Sequence, residues 1–383
     1  MKDNEVEESI EILREVLIET KGMDRRAFLA RLGAVAAATP VLTSFAGLAG
    51  VPGAANAATD RVTTIGWGGA WKDAFDKAYF DPFTANTGTQ IQYISPYSFP
   101  KLQAMHDASD QQIDVVEAGG LDSIRIQQLG MDAPLDWNVI DKSVLSPGQL
   151  KYPNGIGAIT LSEVLVYNKK KWPGEDHPKN WADFWNVEKF PGPRSMHRRA
   201  NPVLEAALMA DGVPADPAVM YPLDYDRAFK KLDELRPHIA VWWTSGSQQQ
   251  QLIQDEEVDL ICMWNGRASD SIINRNAHYK ISWDQALYNG DVEAWFLLAG
   301  APNPEGAMKL LDFVGRPEPQ AVFAQTLFYG PTNMGAYDFI DQSLAEEMPS
   351  YPANAEKSFL MDYNWWSENL EEATKRFETW IQS

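Results

Sequence analysis

The residues best suited to bind a charged small molecule follow a short apolar segment in the second half of the chain. The segment Val258–Met263 is mostly apolar, and the sequence WNGR at 264–267 comes directly after it. Such a run is typical of a strand buried on both faces of a parallel sheet. Because open α/β sheets bind ligands beyond the carboxyl ends of their strands, Trp264 and Arg267 predict a small-molecule pocket. A core tryptophan beside a surface arginine is an equally supported interpretation.

Two further candidates precede this segment. Trp243 is the second of two adjacent tryptophans, and Ser245 occupies the N-cap position ahead of a predicted helix at 248–254. The free backbone N–H groups and the positive dipole end of a helix gather at such a position and favour an anionic group. Both residues are therefore predicted to contribute to the pocket.

Glycine-rich turns supply the candidates in the first half of the chain. Trp67 ends a strand predicted at 62–67, Gly69 lies in the turn that follows it in the sequence GWGGAW, and Gly119 follows a strand predicted at 113–116. Glycines at strand ends let a ligand approach the backbone closely, although plain turns remain the alternative. The spacing does not fit the G-x-G-x-x-G nucleotide-binding pattern.

The elements that must position these residues alternate between strands and helices, which predicts an α/β fold. Two long extended segments, Ile159–Asn168 and Val292–Gly300, are interpreted as strands that cross between two lobes. The predicted first lobe comprises residues 59–164 and 292–335. The predicted second lobe comprises residues 165–291 and 336–383.

Charge and composition exclude several classes of function. The chain has 383 residues, a formal net charge of −20 and a pI near 4.6. Such an acidic protein repels phosphate backbones and anionic lipid surfaces, so nucleic-acid binding and peripheral membrane binding are not expected. The single cysteine, Cys262, lies in the apolar segment and is expected to be a small core residue.

The sequence contains few signs of catalysis. The five histidines show no i, i+4 metal-binding spacing, and no G-x-S-x-G nucleophile elbow is present. Tryptophans at strand ends and arginines after strands are instead suited to binding, since an indole face holds a cation and a guanidinium holds a carboxylate. We therefore predict a binding protein with no cofactor, no catalytic residue and no metal. An exported enzyme is the alternative.

Residues 1–58 have the pattern of an export signal. The sequence DRRAFL at 24–29 resembles a twin-arginine signal, an apolar run follows it, and Ala55–Ala57 provides small residues of the kind that signal peptidase prefers. This pattern predicts export of a folded protein to the periplasm. The acidic lead at residues 1–22 departs from the usual basic region and has no assigned role.

Four motifs of the mature chain resemble a known family. These are WGGAW, SEVLVYNKKKWP, the pair WWTSG and WNGR, and PNPEGA at the start of a helix. They resemble the solute-binding proteins of ABC importers in the spermidine/putrescine-binding group. The resemblance implies a type II periplasmic binding fold, in which two α/β lobes joined by crossing strands close around a ligand. It also implies a monomer that works with a membrane permease. Trp67, Gly119, Trp264 and Glu293 match the positions of the family's aromatic walls, glycine turn and amine-binding carboxylate.

The sequence departs from the polyamine binders at the second lobe. Where those proteins place acidic residues this chain has Arg198, Arg199 and Asn201, and Arg267 follows the Asn-Gly pair. Cations that point into a cleft repel a polyamine and suit a carboxylate, so the pattern resembles the relatives that bind γ-aminobutyrate. A polyamine ligand remains the alternative. The complete predicted site consists of Trp67, Gly69, Gly119, Arg199, Trp243, Ser245, Trp264, Arg267, Glu293 and Trp366.

Overall fold

The computed structural model describes residues 61–290 and 293–383 and contains two main sheets. The predicted export signal at 1–58 lies outside these described residues. One sheet has five strands in the order β2-β1-β3-β11-β4, and the other has six in the order β13-β10-β6-β9-β7-β8. A two-stranded pair, β12 and β5, forms a third sheet. The α/β class predicted from the alternating pattern is confirmed.

The five-stranded sheet places two of the predicted turns side by side. Its strands are β1 (Arg61–Ile65), β2 (Gln90–Ile94), β3 (Val115–Ala118), β4 (Gly155–Gly157) and β11 (Ala294–Leu297). β1 is parallel to both β2 and β3, whereas β11 is antiparallel to β3 and β4. The carboxyl ends of β1 and β3 therefore meet at one edge of the sheet, and the turns that hold Trp67 and Gly119 follow there.

The six-stranded sheet carries the WNGR motif. Its strands are β6 (Ser162–Asn168), β7 (Arg194–His197), β8 (Ile239–Trp243), β9 (Leu260–Trp264), β10 (Tyr279–Tyr288) and β13 (Phe359–Leu360). β9 is buried, as its apolar sequence predicts, and is parallel to β7. It is antiparallel to β6, so the sheet is mixed rather than all-parallel as its sequence suggested.

Helices cover the sheets. The α-helices are α1 (Ala70–Phe75), α2 (Asp81–Thr87), α3 (Phe99–Asp107), α4 (Gly120–Gln128), α5 (Trp181–Trp185), α6 (Val203–Ala210), α7 (Pro217–Met220), α8 (Tyr225–Leu235), α9 (Gly246–Gln254), α10 (Asn265–Ser269), α11 (Pro304–Val314), α12 (Pro317–Leu327), α13 (Gln342–Ala345), α14 (Pro352–Ala355) and α15 (Tyr363–Gln382). Single-turn π-helices at 76–80 and 270–274 and four short 3₁₀ segments complete the set. Within the described ranges, no helix is both long and apolar enough to cross a membrane.

The segments predicted to cross between lobes connect the two main sheets. The chain leaves β4, passes through β5 (Ile159–Thr160), which pairs with β12 (Gly330–Pro331), and enters the six-stranded sheet as β6. After β10 it returns to the five-stranded sheet as β11. Asn289 ties these passages together, because its side-chain oxygen accepts a 2.8 Å hydrogen bond from the Leu161 amide and its amide donates to Glu293 at 3.1 Å.

Each sheet is packed between its own apolar clusters. Trp295 on β11 belongs to a buried cluster with Phe75, Tyr79 and Phe323, and the opposite face of that sheet holds another cluster around Phe296. The six-stranded sheet likewise has a cluster on each face. Burial of aromatic and aliphatic groups on both faces is the expected driving force for a sheet covered by helices.

Candidate functional site

A cavity of about 1070 Å³ opens at the carboxyl ends of strands from both main sheets. The five-stranded sheet contributes Trp67 after β1 and Gly119 after β3. The six-stranded sheet contributes Arg199 after β7 and Trp264 at the end of β9. Helix α15 lines a further wall. Strand ends are where α/β sheets bind ligands, so this cavity is the candidate functional site.

Six of the ten sequence-predicted residues line this cavity, and four do not. Those on its surface are Trp67, Gly119, Arg199, Trp264, Arg267 and Glu293. Those outside its lining are Gly69, Trp243, Ser245 and Trp366. The structure therefore brings together residues from positions 67 to 293, including the arginines and the glutamate that the charge argument invoked.

The four residues outside the lining have structural surroundings of their own. Trp243 is fully buried, stacks on the His197 ring and donates from Nε1 to the Cys262 carbonyl oxygen at 2.7 Å. Trp366 is also fully buried and donates to Glu205 at 2.6 Å. Ser245 caps α9 as predicted, and Gly69 precedes α1 with a φ of 63°.

Arg267 presents a positive charge that no carboxylate offsets within the described ranges. Its Nη1 donates a 3.2 Å hydrogen bond to the Gln250 side-chain oxygen, and this partner is neutral. The guanidinium passes so close to Gly246 that a β-carbon there would lie 3.0 Å from its Nε. A partly buried guanidinium with a neutral partner favours an anionic ligand, because its remaining N–H donors need acceptors.

Arg199 differs, because its charge already has a partner. Its Nη2 donates to Glu163 at 2.5 Å, and that carboxylate also accepts from His197 Nδ1 and Trp264 Nε1, each at 3.1 Å. Glu163 is buried, which opposes ionisation, but these donors and the nearby positive charge outweigh burial and lower its pKa to about 2. Glu163 therefore positions both the Arg199 guanidinium and the Trp264 indole on the cavity wall.

His197 is a neutral donor in this network. Burial lowers the pKa of His197, against the opposing effect of the Glu163 charge. The ring therefore donates its Nδ1 proton at neutral pH without carrying a net charge, and Arg199 supplies the compensating charge. One carboxylate thus holds an arginine, a histidine and a tryptophan in fixed positions.

Two buried carboxyl groups lie where the five-stranded sheet borders the cavity. Glu293 lines the cavity, and Glu117 is enclosed next to it. Burial raises the pKa of Glu293 to about 8 against the hydrogen bond from Asn289. Burial and the charge of Glu293 together raise the pKa of Glu117 well above its ordinary value. The site therefore has a cationic side at Arg267 and an acidic side at Glu293.

Glu163 and Glu117 were not predicted as site residues. Each is the only charged side chain in an apolar strand segment, in SEVLVYN and VVEA respectively. A charged residue is rarely buried unless it is paired, so a lone charged residue in an apolar strand predicts a buried group with a partner. Their partners cannot be identified in the same way, because the Glu163 contacts join residues 34 to 101 positions apart.

Comparison with known proteins shows the family of the chain. Residues 78–356 match the sequence profile described as bacterial extracellular solute-binding protein. The chain is 34% identical to the Gamma-aminobutyric acid-binding protein of Pseudomonas aeruginosa over 85% of this chain and 92% of the relative. It is 24% identical to the Spermidine/putrescine-binding periplasmic protein of Escherichia coli over 74% of this chain and 81% of that protein.

A solved structure has the same architecture. An ABC transporter substrate-binding protein from Bradyrhizobium japonicum superposes with a TM-score of 0.76 at 37% identity, over 84% of this chain and 99% of that chain. The two-lobe periplasmic binding fold predicted from the motifs is confirmed, and so is the predicted family. Because the profile covers most of the sequence and a relative above 30% identity spans 85% of the chain, the protein belongs to the bacterial extracellular solute-binding proteins.

Proposed function

We propose that this chain is the solute receptor of an ABC importer and binds a small zwitterion, such as γ-aminobutyrate, in the cavity between its sheets. The observation that carries the proposal is that a guanidinium and a buried carboxyl group line the same cavity from different sheets. Arg267 has no carboxylate partner among the described residues, and Glu293 lines the same cavity at the five-stranded sheet. A molecule with a carboxylate at one end and an ammonium at the other satisfies both.

The remaining lining supplies apolar contact around such a ligand. Trp67 is 45% exposed at the cavity, and Trp264 is held in place by its hydrogen bond to Glu163. Indole faces bind the methylene chain of a small amino acid and attract its ammonium group. The similarity to a relative named for γ-aminobutyric acid binding supports the same class of ligand.

A polyamine is the second candidate, and the acidic pair favours it. Glu117 and Glu293 suit an amine, and a relative named for spermidine and putrescine is similar along most of the chain. Arg267 opposes it, because its uncompensated charge repels the second amine of a polyamine. A repulsion of this kind costs on the order of several kcal/mol at a poorly solvated site.

Calorimetric titration of the mature protein separates these candidates. The ligands to compare are γ-aminobutyrate, other amino acids, dicarboxylates, putrescine and spermidine. We expect saturable binding of a zwitterion and weak or absent binding of the polyamines. Tight putrescine binding without a response to any carboxylate would show that the charge argument is wrong.

The cellular context forms the second part of this proposal. We propose that residues 1–58 are a twin-arginine signal, that the mature protein works in the periplasm as a monomer with a membrane permease, and that it has no enzymatic activity. Substitution of Arg25 and Arg26 by lysine should retain the precursor in the cytoplasm. Fractionation of cells that express each version tests this, since periplasmic delivery of both would contradict the assignment.

A further inference from the structure

The buried glutamates of the acidic side make up a cluster that the proposed function uses only in part. The proposed zwitterion site uses Glu293 for the ammonium group and leaves Glu117 without a contact to the ligand. We propose that Glu117 and Glu293 together form the ammonium site, that they are protonated in the ligand-free receptor, and that the entering ammonium displaces one proton. This inference rests on the proposed function insofar as the ligand carries an ammonium group.

Strand register places the two side chains on one face of the sheet. Glu117 on β3 lies opposite Trp295 on β11, and Ala118 lies opposite Ala294. Glu293 precedes Ala294 and therefore shares a face with Trp295 and with Glu117. Diagonal neighbours of this kind have β-carbons separated by about 7–8 Å or less, which brings two long carboxyl side chains within reach of one cation.

Neither carboxyl group has a charged partner. Both oxygens of Glu117 are buried and form no hydrogen bond within the described ranges. Glu293 accepts a hydrogen bond from the Asn289 amide at 3.1 Å. Ionised carboxylates are costly to bury without a partner, so the neutral forms are favoured until a cation arrives. The raised pKa values of both groups agree with this geometry.

The groups that face the pair from neighbouring elements do not compensate it. The Trp71 indole on α1 is a neutral donor, and its N–H interaction with the Glu117 carboxyl group lowers the pKa of Glu117 in part, against the larger effects of burial and of the Glu293 charge. The titratable groups that interact with one or other carboxyl are the phenols of Tyr79, Tyr93, Tyr97, Tyr152, Tyr329 and Tyr363. Burial raises the pKa of each of these phenols, so all are neutral at neutral pH.

The two arginines of the cavity, Arg199 and Arg267, interact with tyrosine phenols rather than with Glu117 or Glu293. The Arg267 charge lowers the pKa of Tyr329, and the Arg199 charge lowers the pKa of Tyr363. The Glu163 charge raises the pKa of both phenols. Neither arginine forms an ion pair with Glu117 or Glu293 among the described residues. The Glu117 oxygens, which have no charged partner, are therefore the polar atoms that an ammonium group is expected to satisfy.

The exchange balances in charge. Before binding, both carboxyl groups hold their protons and the pair is neutral. The ligand brings one ammonium charge, one carboxyl group ionises, and its proton passes to solvent, so the net charge of the pair with its bound ammonium stays at zero. The remaining carboxyl group keeps its proton and can still accept an ammonium N–H. Quaternary amines lack such a donor and are expected to bind poorly.

Titration calorimetry with γ-aminobutyrate tests the exchange at pH 7 in phosphate and in Tris, which differ strongly in ionisation enthalpy. We expect a binding enthalpy that depends on the buffer and corresponds to on the order of one proton released per ligand. Glu117→Gln should weaken binding by about tenfold or more and reduce the release. The exposed control Glu318→Gln should change neither quantity. Binding with a buffer-independent enthalpy would overturn the proposal.

A measurement on the ligand-free protein keeps this inference separate from the identity of the ligand. Infrared difference spectra should show a protonated carboxyl band at pH 6 that decreases by pH 10 and is diminished in the double variant Glu117→Gln/Glu293→Gln. Glu205→Gln identifies the contribution of another buried carboxyl group, whose pKa is raised to about 7 by burial. If γ-aminobutyrate does not bind but the band is present, the proposed ligand is wrong, whereas the protonation of Glu117 and Glu293 in the ligand-free protein is supported. If the double variant leaves the band unchanged, the inference fails.

Discussion

Arg199 and Glu163 form an ion pair with unequal exposure at the cavity wall. The Glu163 side chain is 2% exposed, whereas the Arg199 side chain is 44% exposed. The carboxylate therefore fixes the guanidinium from behind and neutralises much of its charge. Arg267 has no such partner among the described residues, so the two arginines that the sequence treats as equivalent differ in their capacity to hold an anion.

Arg267→Ala should abolish most of the affinity for a carboxylate ligand. The expected loss is about 2–5 kcal/mol, because the substitution leaves a desolvated carboxylate without its charge-assisted partner. Calorimetry with γ-aminobutyrate measures it. The matched control is Arg227→Ala, since Arg227 is exposed and pairs with Asp211 on the surface. Equal affinities for the wild type and Arg267→Ala would place Arg267 outside the binding site.

Glu163→Gln should lower the free energy of unfolding at neutral pH. It should also make that free energy less sensitive to a fall in pH. The pKa of Glu163 is about 2 in the folded protein against an ordinary value of 4.5. The charged network therefore stabilises the fold above about pH 4.5, and this contribution is lost as the pH falls towards 2. We expect a loss of about 2–3 kcal/mol at pH 7, allowing for the exposure of Arg199 to solvent.

Urea unfolding at pH 7, 4 and 2.5 measures this effect. The difference between wild type and Glu163→Gln should shrink as the pH is lowered, because the wild-type carboxylate becomes protonated as well. The exposed substitution Glu318→Gln provides the control for a change of one charge. A difference that stays constant from pH 7 to pH 2.5 would mean that Glu163 contributes through packing rather than through its charge.

Local signals in the sequence predicted several elements well. Helix α9 (Gly246–Gln254) contains the helix predicted at 248–254, because Ser245 caps it and accepts from the Gln248 amide. Strand β10, Tyr279–Tyr288, was missed. Its register with β6 is interrupted by a bulge between Ser282 and Leu287, and Gln285 adopts a φ of 59°. Such an interruption breaks the alternation of polar and apolar residues that identifies a strand.

The charged pattern of the site was predictable, but its pairing was not. Arg267 and Glu293 can be identified from their places after a strand and on a crossing segment. Arg199 pairs with Glu163 because of the order of the strands in the sheet, and this order arises from the packing of the whole sheet. The burial of Trp243 and Trp366 has the same origin, since a sequence does not reveal which tryptophans face a cavity and which face a core.

Glu293→Gln should make the ligand-free protein more stable at alkaline pH. The pKa of Glu293 is raised to about 8 from an ordinary value of 4.5, so the folded protein keeps a proton that the unfolded chain releases. The contribution of protonated Glu293 to the free energy of unfolding is therefore fully present below about pH 4.5 and is lost as the pH rises through 8. At pH 9 we expect the free energy of unfolding of Glu293→Gln to exceed that of the wild type by on the order of 2–4 kcal/mol.

Thermal unfolding at pH 5 and pH 9 tests this expectation without any ligand. The wild type should lose stability between the two values, and Glu293→Gln should show a smaller loss. Asn289 can still donate to the glutamine oxygen, so the tie to the crossing segments is retained. Equal pH dependence in both proteins would show that Glu293 ionises in the folded state without a penalty.

Two glycines, Gly119 in the cavity lining and Gly266 beside Arg267 in the sequence, should respond differently to alanine. A β-carbon on Gly266 would lie 2.5 Å from the Leu327 carbonyl oxygen and 2.9 Å from the Tyr329 ring, whereas a β-carbon on Gly119 would meet nothing within 4 Å. Gly266→Ala should therefore destabilise the fold by about 1–3 kcal/mol. Gly119 has a φ of −66°, which alanine adopts readily, so Gly119→Ala should change the free energy of unfolding by less than about 0.5 kcal/mol.

Ligand affinity then tests whether the Gly119 backbone faces the solute. Gly119 lines the cavity, and an added methyl group occupies space that a ligand close to the backbone needs. We expect Gly119→Ala to weaken γ-aminobutyrate binding about tenfold, or roughly 1.4 kcal/mol, while its urea midpoint stays at the wild-type value. Wild-type affinity in a stable Gly119→Ala protein would assign this glycine to the turn alone. Because Gly266→Ala perturbs the packing against Leu327 and Tyr329, any affinity change in that variant must be compared with its loss of stability.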